Sequence, residues 1–398
     1  MAGEWVVGGV EAKGFAYGFL LLAMEALVRN RWRIAWLLLG LATAFHVLVG
    51  GWAVVAAGFA WLVAPSDRES LKRMAPFIIL GGCLGLPSLL PALLLTSGAA
   101  AGDVAAANNI YVYQRLPHHL LVTAFSTQRL FCHLTALVSW VALLKLDKQP
   151  WEGPYRRLMN LVMGAMLISA VGLLLTLLLP QPSESAASLL RFYWFRLADA
   201  LLPVGLIFTV VRVIRQWSVA TPRLAAYAVS LAIAGVSLYM AADYLQRRVD
   251  PRPAADRQSL PRARAGMEKT LQIYRDWVNV CRWIRKETPP DAIFVTPRRQ
   301  QTFKWYAQRG EVVCWKDVPQ DALGLVQWYQ RSQDLFSGQV IPTGFASMSW
   351  EQLLALREKY QARYIVRPRF SAVRRLPLKR VYPLPNQRSY YEVYELSP

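Results

Sequence analysis

The sequence predicts a polytopic α-helical membrane protein, with about eight transmembrane or half-membrane helices followed by a C-terminal extracytoplasmic α/β domain. Three observations predict it. Hydrophobic residues make up 55% of the 398-residue chain and charged residues only 18%, against roughly 25% charged in an ordinary soluble domain. Apolar runs of membrane-crossing length recur through the first 243 residues. Charge concentrates in the last 155 residues, which hold 27 of the 45 Lys and Arg and 14 of the 25 Asp and Glu. The mean hydropathy of +0.24 therefore averages two unlike parts. This reading divides the chain into a helical membrane domain at 1–243, a Pro- and Arg-rich linker at 244–266, and a soluble domain at 267–398.

An apolar helix of about 17 to 25 residues is needed to cross about 30 Å of hydrocarbon. Candidate spans fall at 13–28, 34–48, 50–64, 75–98, 129–146, 158–179, 198–214 and 224–243. Residues 34–64 run for 31 residues without an acidic or basic residue other than His46, and the Gly50–Gly51 pair interrupts the run. Arg29, Arg31 and Arg33 precede it, and Arg68, Lys72 and Arg73 come after it. The positive-inside bias puts both basic ends in the cytoplasm, which favours two short helices or a hairpin broken at the glycines. Lys145, Lys148, Arg156, Arg157, Arg212, Arg215 and Arg223 then fall inside as well. Loops 100–128 and 180–197 and the whole tail fall outside. The expected location is the bacterial inner membrane, with the C-terminal domain on the periplasmic side. No leader with a basic start, an apolar centre and a cleavage site is visible.

The tail alternates helix and strand patterns. Residues 267–286 carry Leu271, Tyr274, Val278, Cys281 and Ile284 near one stripe, and Thr288, Pro289 and Pro290 stop that helix. Residues 292–296 and 311–315 read as strands with a short helix at 301–307 between them. Residues 350–360 read as a helix feeding a strand at 362–366, and 380–383 with 390–396 as a closing hairpin. The pattern implies a small, mostly parallel sheet with helices against it, and a weakly patterned connection at 324–345.

Four scattered cysteines, Cys83, Cys132, Cys281 and Cys314, rule out a disulfide scaffold and supply no Cys/His metal spacing. No metal site is expected from them. The sequence calls for no cofactor and leaves a divalent ion open. The net charge of +20 would suit nucleic acid. An external location and the lack of a groove-reading module argue against it, so membrane lipid is the expected partner.

Ionisable residues in or beside spans are the leads to function, because exposing a charge to lipid is costly. Glu11 and Lys13 open the first span, as a functional pair or as an interfacial cap with a snorkelling lysine. Glu25 is explained by Arg29 at i+4. His46 is either a helix-to-helix hydrogen-bonding residue or a ligand contact. The segment NNIYVYQRLPHH adds Arg115, His118 and His119, with Pro117 forcing an irregular turn. In RFYWFRLADA, Arg196 and Asp199 are spaced to pair, while Arg191 suits a phosphate headgroup through fork-like charged hydrogen bonds. The flanking aromatics equally suit an interfacial belt. In the tail the candidates are Arg299, Lys304, Arg309, Lys316 and Asp317, and residues 298–302 and 316–317 follow successive strand ends, the usual ligand position in parallel sheets. A basic and aromatic docking surface is the alternative.

The segments GGVEAKGFAYGFLLLAMEALVRNRWRIAWLLLGLATAFHVLVGGW, YVYQRLPHH, FYWFRLADALLP and WVNVCRWIRKETPPDAIFVTPRRQQTFKWYAQRGEVVCWKDVPQ together resemble a bacterial family of polytopic proteins. That family looks like relatives of the integral-membrane (GT-C type) glycosyltransferases that use polyprenyl-phosphate-linked sugars. The resemblance implies a multi-span core, a small external α/β domain, and sugar transfer to a protein or glycan acceptor. In such enzymes the catalytic acidic residue lies in the first large external loop. GGVEAK, which resembles the stretch just after that loop, begins here at residue 8. The resemblance thus implies a shortened or degenerate relative, with Glu4 and Glu11 the acidic residues of that stretch and neither assigned as a base. The alternative is a non-catalytic membrane assembly subunit whose external domain binds a partner.

Overall fold

A computed structural model describes residues 11–64, 68–220, 222–336, 349–369, 376 and 378–396. Glu4 and residues 8–10 of the N-terminal motif lie outside them. The chain divides into one unit of Met1–Ala232 with Asp321–Leu323 and a second of Ile233–Gln320 with Gly324–Pro398.

The first unit is helical. It contains α1 (Ala12–Val28), α2 (Trp32–Phe45), α3 (Val47–Leu62), α4 (Leu71–Leu94) and α5 (Ala101–Asn109), and then a π-helical turn over Ile110–Arg115. Next come α6 (Pro117–Leu120), α7 (Thr127–Leu146), α8 (Gly153–Leu178), α9 (Glu184–Leu190) and α10 (Arg196–Ala220), and α11 (Pro222–Val249) leads onward. On α1, Ala16, Tyr17, Leu20, Ala23 and Leu27 are buried at helical spacing. Its last turn is tied down by Arg157 of α8, whose guanidinium donates to the carbonyls of Leu27 at 2.8 Å and Val28 at 2.7 Å. Those carbonyls have no partner within the helix, and a cation at a helix C-terminus also complements its dipole.

Small residues set the distances between these helices. A Cβ on Gly40 of α2 would lie 2.2 Å from the Gly81 carbonyl oxygen of α4, and one on Gly164 of α8 would lie 2.9 Å from Ala56 of α3. Backbones packed this closely gain dispersion contacts that need no water to drive them, as membrane helices require. The break between α2 and α3 is a single extended residue, His46 (φ −156°, ψ 102°), rather than the glycine pair. Gly50 serves the hairpin differently, since its missing Cβ would meet the Thr43 backbone nitrogen at 2.2 Å.

The prediction of about eight membrane or half-membrane helices is overturned. Among the described residues, four helices are long and apolar enough to cross a membrane: α4, α7, α8 and α10 over Arg196–Ser218. The helices at the first three predicted spans hold 17, 14 and 16 residues, or about 21 to 26 Å at 1.5 Å per residue. That falls short of about 30 Å of hydrocarbon. The last predicted span lies in the 28-residue α11, of which only Val229–Ala242 forms an apolar stretch. Apolar runs continue through helix ends such as His46, and composition alone does not reveal those ends.

The second unit contains α12 (Ala254–Ser259), α13 (Met267–Glu287), β1 (Ile293–Val295), α14 (Phe303–Ala307), β2 (Gly310–Glu311) and, from Gly324 on, α15 (Ala322–Phe336). It closes with α16 (Trp350–Tyr360), β3 (Ala362–Pro368), β4 (Lys379–Tyr382) and β5 (Tyr391–Glu395). The sheet order is β2-β1-β3-β5-β4. β1 is parallel to β2 and to β3, while β5 runs antiparallel to both β3 and β4. The sheet is therefore mixed rather than mostly parallel, because the hairpin folds back beside β3. Two further expectations are corrected. The strand placed at 311–315 is only Gly310–Glu311, since the chain turns away over Cys314–Asp317. The connection placed at 324–345 is helical through Phe336, with Leu325, Trp328, Ser332 and Leu335 buried at helical spacing. Residues 337–345 lie outside the described residues.

Trp277 of α13, Phe294 of β1, Phe303 of α14 and Tyr391 of β5 form the aromatic centre of this unit. Asp256 of α12 is fully buried beside it. Its carboxylate accepts from Thr302 Oγ1 at 2.9 Å and Tyr306 OH at 2.8 Å, and Thr302 Oγ1 in turn accepts from Trp277 Nε1 at 2.9 Å. A buried carboxylate is tolerable only with such partners. A second buried carboxylate, Glu392 of β5, faces Arg367 of β3 at 3.1 Å, Tyr394 OH at 2.8 Å and Arg380 of β4 at 3.3 Å.

Candidate functional site

Among the described residues, two convergences of polar side chains, one in each unit, bring together residues singled out in the sequence. In the helical unit the α2–α3 break presents His46 to the start of α10, where Arg196 Nη1 lies 3.1 Å from His46 Nε2. The Arg196 guanidinium stands 3.8 Å from the centroid of the Tyr193 ring, close enough for a cation–π contact. Tyr193 OH is 3.1 Å from Tyr111 OH on the π-helical turn. Beside it, Arg191 Nη1 donates to the buried Asn108 Oδ1 at 2.5 Å. Tyr17 OH of α1 donates to the Arg196 carbonyl at 3.4 Å. Lys13, one turn earlier on that face, is buried and pairs with Glu11 at 3.7 Å.

The backbone here departs from regular geometry twice. Tyr193 holds a left-handed conformation, φ 54°, which is costly for an aromatic side chain. The Ile110–Arg115 turn is π-helical, a form concentrated at functional sites. Of the residues singled out in the sequence, His46, Arg191 and Arg196 share this cluster, with Lys13 on the same helix face as Tyr17. Arg115 ends the π-turn, and His118 and His119 stand ring against ring on α6, centroids 4.2 Å apart. Asp199, which its spacing suggested would pair with Arg196, binds His133 of α7, Oδ1 to Nδ1 at 3.2 Å. Glu25 and Arg29 form the expected ion pair at 2.5 Å.

In the soluble unit the parallel strands β1 and β2 end side by side. Thr296, just past β1, is buried and donates from Oγ1 to Glu311 Oε2 at 2.6 Å. The Glu311 side chain is only 1% exposed, with the Lys304 ammonium 3.8 Å from its Oε1. The same ammonium donates to Asp317 Oδ2 at 2.6 Å. The thiol of Cys314, buried, joins the two acids. Glu311, Cys314 and Asp317 each bring one potential ligand atom, and the three atoms lie within 4.8 Å of one another. The turn that carries them is fixed by Asp317 N–H on the Cys314 carbonyl at 3.2 Å and by Trp328 Nε1 on that carbonyl at 2.9 Å.

Electrostatics follow from burial. Desolvation pushes the Glu311 carboxyl up to about 7 against the opposing pull of Thr296 and Lys304. Burial, reinforced by Glu311, pushes the Cys314 thiol up to about 11. Burial opposes the charge on Lys304, but its hydrogen bond to Asp317 prevails and holds its pKa above the ordinary lysine value. The cluster is thus built to receive positive charge, and its residues could hold a metal ion.

Of the tail residues predicted, Lys304 and Asp317 belong to this cluster. Lys316 and Arg299 are exposed. Arg309 instead closes α13, donating to the carbonyls of Arg285 at 2.6 Å and Thr288 at 2.7 Å. Glu311, Cys314 and Thr296 were not anticipated from the sequence. The signal was an acidic residue opening the apolar run 312–314, with a thiol and a second acid after it at three-residue steps. A search for Cys/His spacing passes over that pattern.

Residues 275–335 match a family described as a domain of unknown function, DUF6798. The matched stretch includes Thr296, Lys304, Glu311, Cys314 and Asp317. Comparison of the whole chain with curated proteins gives no match.

Proposed function

We propose that the chain is a membrane glycosyltransferase-like protein whose helical unit engages the phosphate of a polyprenyl-phosphate-linked sugar. On this reading it lies in the bacterial inner membrane, its C-terminal domain is periplasmic, and a protein or glycan is the acceptor. The carrying observation is the meeting of Arg196 with His46 and Tyr193, next to Arg191 on Asn108. Guanidinium forks match phosphate oxygens in bidentate fashion, and low dielectric strengthens that attraction. Lys13 and Arg115 add positive charge on neighbouring elements.

The nearby carboxylates are engaged: Glu11 with Lys13, and Asp199 with His133. The reading therefore assigns headgroup recognition to this cluster and names no base for the acceptor's proton. A second reading, a non-catalytic assembly subunit, is favoured by Trp305, which is 80% exposed on α14, as a partner-binding aromatic would be. In this reading the soluble unit takes no organic cofactor, and a divalent cation is the non-protein group its side chains fit.

The test is binding of polyprenyl phosphate, against the uncharged polyprenol, to the full chain in nanodiscs. Preference for the phosphate that Arg191→Ala and Arg196→Ala each weaken supports the proposal. Equal binding of both lipids sinks it. Transfer of sugar from the lipid donor would separate the enzyme from the assembly subunit.

A further inference from the structure

The cluster past β1 and β2 lies apart from the lipid-phosphate reading and carries an inference of its own. Two carboxylates alone would be an acidic patch. Here a buried thiol stands within 4.8 Å of both, and Glu311 Oε1 is buried without a hydrogen-bond partner. A buried carboxylate oxygen in that state costs free energy unless something positive completes it. Lys304 approaches Oε1 only to 3.8 Å, beyond hydrogen-bond reach, and gives its close contact to Asp317.

We propose that Glu311, Cys314 and Asp317 bind a single divalent cation of the zinc type, and that this cation exchanges with the Lys304 ammonium. The donor set decides the class of ion. A thiolate with two carboxylates suits a borderline-soft cation, whereas calcium and magnesium take oxygen ligands. Zinc sites with three protein ligands keep a fourth position for water. Asp317, half-exposed, gives the ion a way in, and Lys304 is half-exposed on a helix of five residues, so its flexible stem can swing into solvent. Thr296 on Glu311 and Trp328 on the Cys314 carbonyl orient the ligand-bearing residues, as supporting contacts do in metal sites.

Coordination requires the thiolate. The Cys314 S–H bond breaks, its electron pair forms the sulfur–metal bond, and the proton passes to buffer. A proton held by Glu311 leaves in the same way. Binding is therefore accompanied by proton release and by loss of the Lys304–Asp317 contact.

The experiment uses the full chain in detergent, stripped with a chelator, with the exposed Cys83 and Cys132 replaced by serine to remove competing thiols. Cobalt(II) reports sulfur ligation by a thiolate-to-metal charge-transfer band, and zinc affinity is read by competition with a chromophoric chelator. The expected result is one ion bound, a cobalt band that zinc abolishes, and loss of that band in Cys314→Ser. Asp317→Asn should weaken zinc by about tenfold or more, and Lys304→Met should tighten it. Absence of the band in the parent protein, or its persistence in Cys314→Ser, overturns the site. Because Cys314→Ser could disturb the buried turn, Lys304→Met gives an independent test: unchanged zinc affinity overturns the exchange.

Discussion

Arg196 Nη1 reaches His46 Nε2 across 3.1 Å, joining residues 150 positions apart in the chain. The same imidazole faces the Val49 N–H with Nδ1 at 3.3 Å, at the start of α3. A neutral imidazole accepts through one nitrogen only, and a guanidinium never accepts. The tautomer that caps α3 would turn an N–H toward Arg196. The tautomer that serves Arg196 gives up the cap. The hairpin and the arginine therefore compete for one lone pair. Replacing His46 by leucine should weaken polyprenyl phosphate binding by about tenfold, since a hydrogen bond to a charged group contributes about 1.5 to 3 kcal/mol. His46→Gln, which keeps an acceptor, should retain most of the affinity. Equal binding by both variants would remove His46 from the site.

Adjacent glycines give a controlled comparison. A Cβ at Gly50 would collide with the Thr43 backbone, whereas at Gly51 nothing lies within 4 Å. Gly50→Ala should destabilise the helical unit by about 1 to 3 kcal/mol through forced separation of α2 and α3. Gly51→Ala should be neutral or stabilising by up to about 1 kcal/mol, because alanine is the better helix former. Thermal inactivation in detergent, measured side by side, distinguishes the two.

Glu392 illustrates the cost of an unmatched buried charge. With Arg367 and Glu392 each 3% exposed, Glu392→Gln leaves the arginine without its carboxylate in low dielectric. A loss of about 3 to 5 kcal/mol is expected in the soluble unit. Pulse proteolysis across a urea series reads it, and a midpoint unchanged from the parent contradicts the assignment.

Asp334 of α15 accepts from Lys359 Nζ of α16 at 2.6 Å and from Tyr360 OH. Burial alone would raise its pKa, but the hydrogen bonds from Lys359 and Tyr360 outweigh it and hold the carboxyl below its ordinary value. The native state thus binds its proton less readily than the unfolded chain does. The contribution is complete above the unfolded value of about 3.9 and is lost as pH falls through the lower folded value. Hydrogen exchange on α16 should rise across that acidic window in the parent protein. In Asp334→Asn it should already be raised at neutral pH and change less with acid.

Much of this was legible in the sequence where periodicity and stop signals agree. The 267–286 helix ends at Thr288 with two prolines behind it, and α13 occupies that segment. The membrane helices were less legible, because an apolar run records composition and not where hydrogen bonding stops. One extended residue at His46 divides a run of 31 uncharged neighbours into two helices too short to cross. Arg191, Arg196 and His46 were visible as costly polar residues in apolar surroundings. The Glu311 cluster was hidden because its identity depends on a parallel strand pairing, Phe294 beside Glu311, that brings Thr296 and Lys304 to residues distant in sequence. Arg309 misled for the opposite reason: its charge serves a helix end.

Asp256 decides where the soluble unit can be cut. The Pro-rich segment before α13 reads as a spacer, yet its carboxylate holds Thr302 and Tyr306 and, through Thr302, the central Trp277. An excised fragment starting at 267 would deprive the Thr302 and Tyr306 hydroxyls of their common acceptor, and should express as a loosely packed, protease-sensitive product. One starting at Asp250 retains the acceptor and should give sharp indole resonances, which makes the spacer the first residues of the domain's interior.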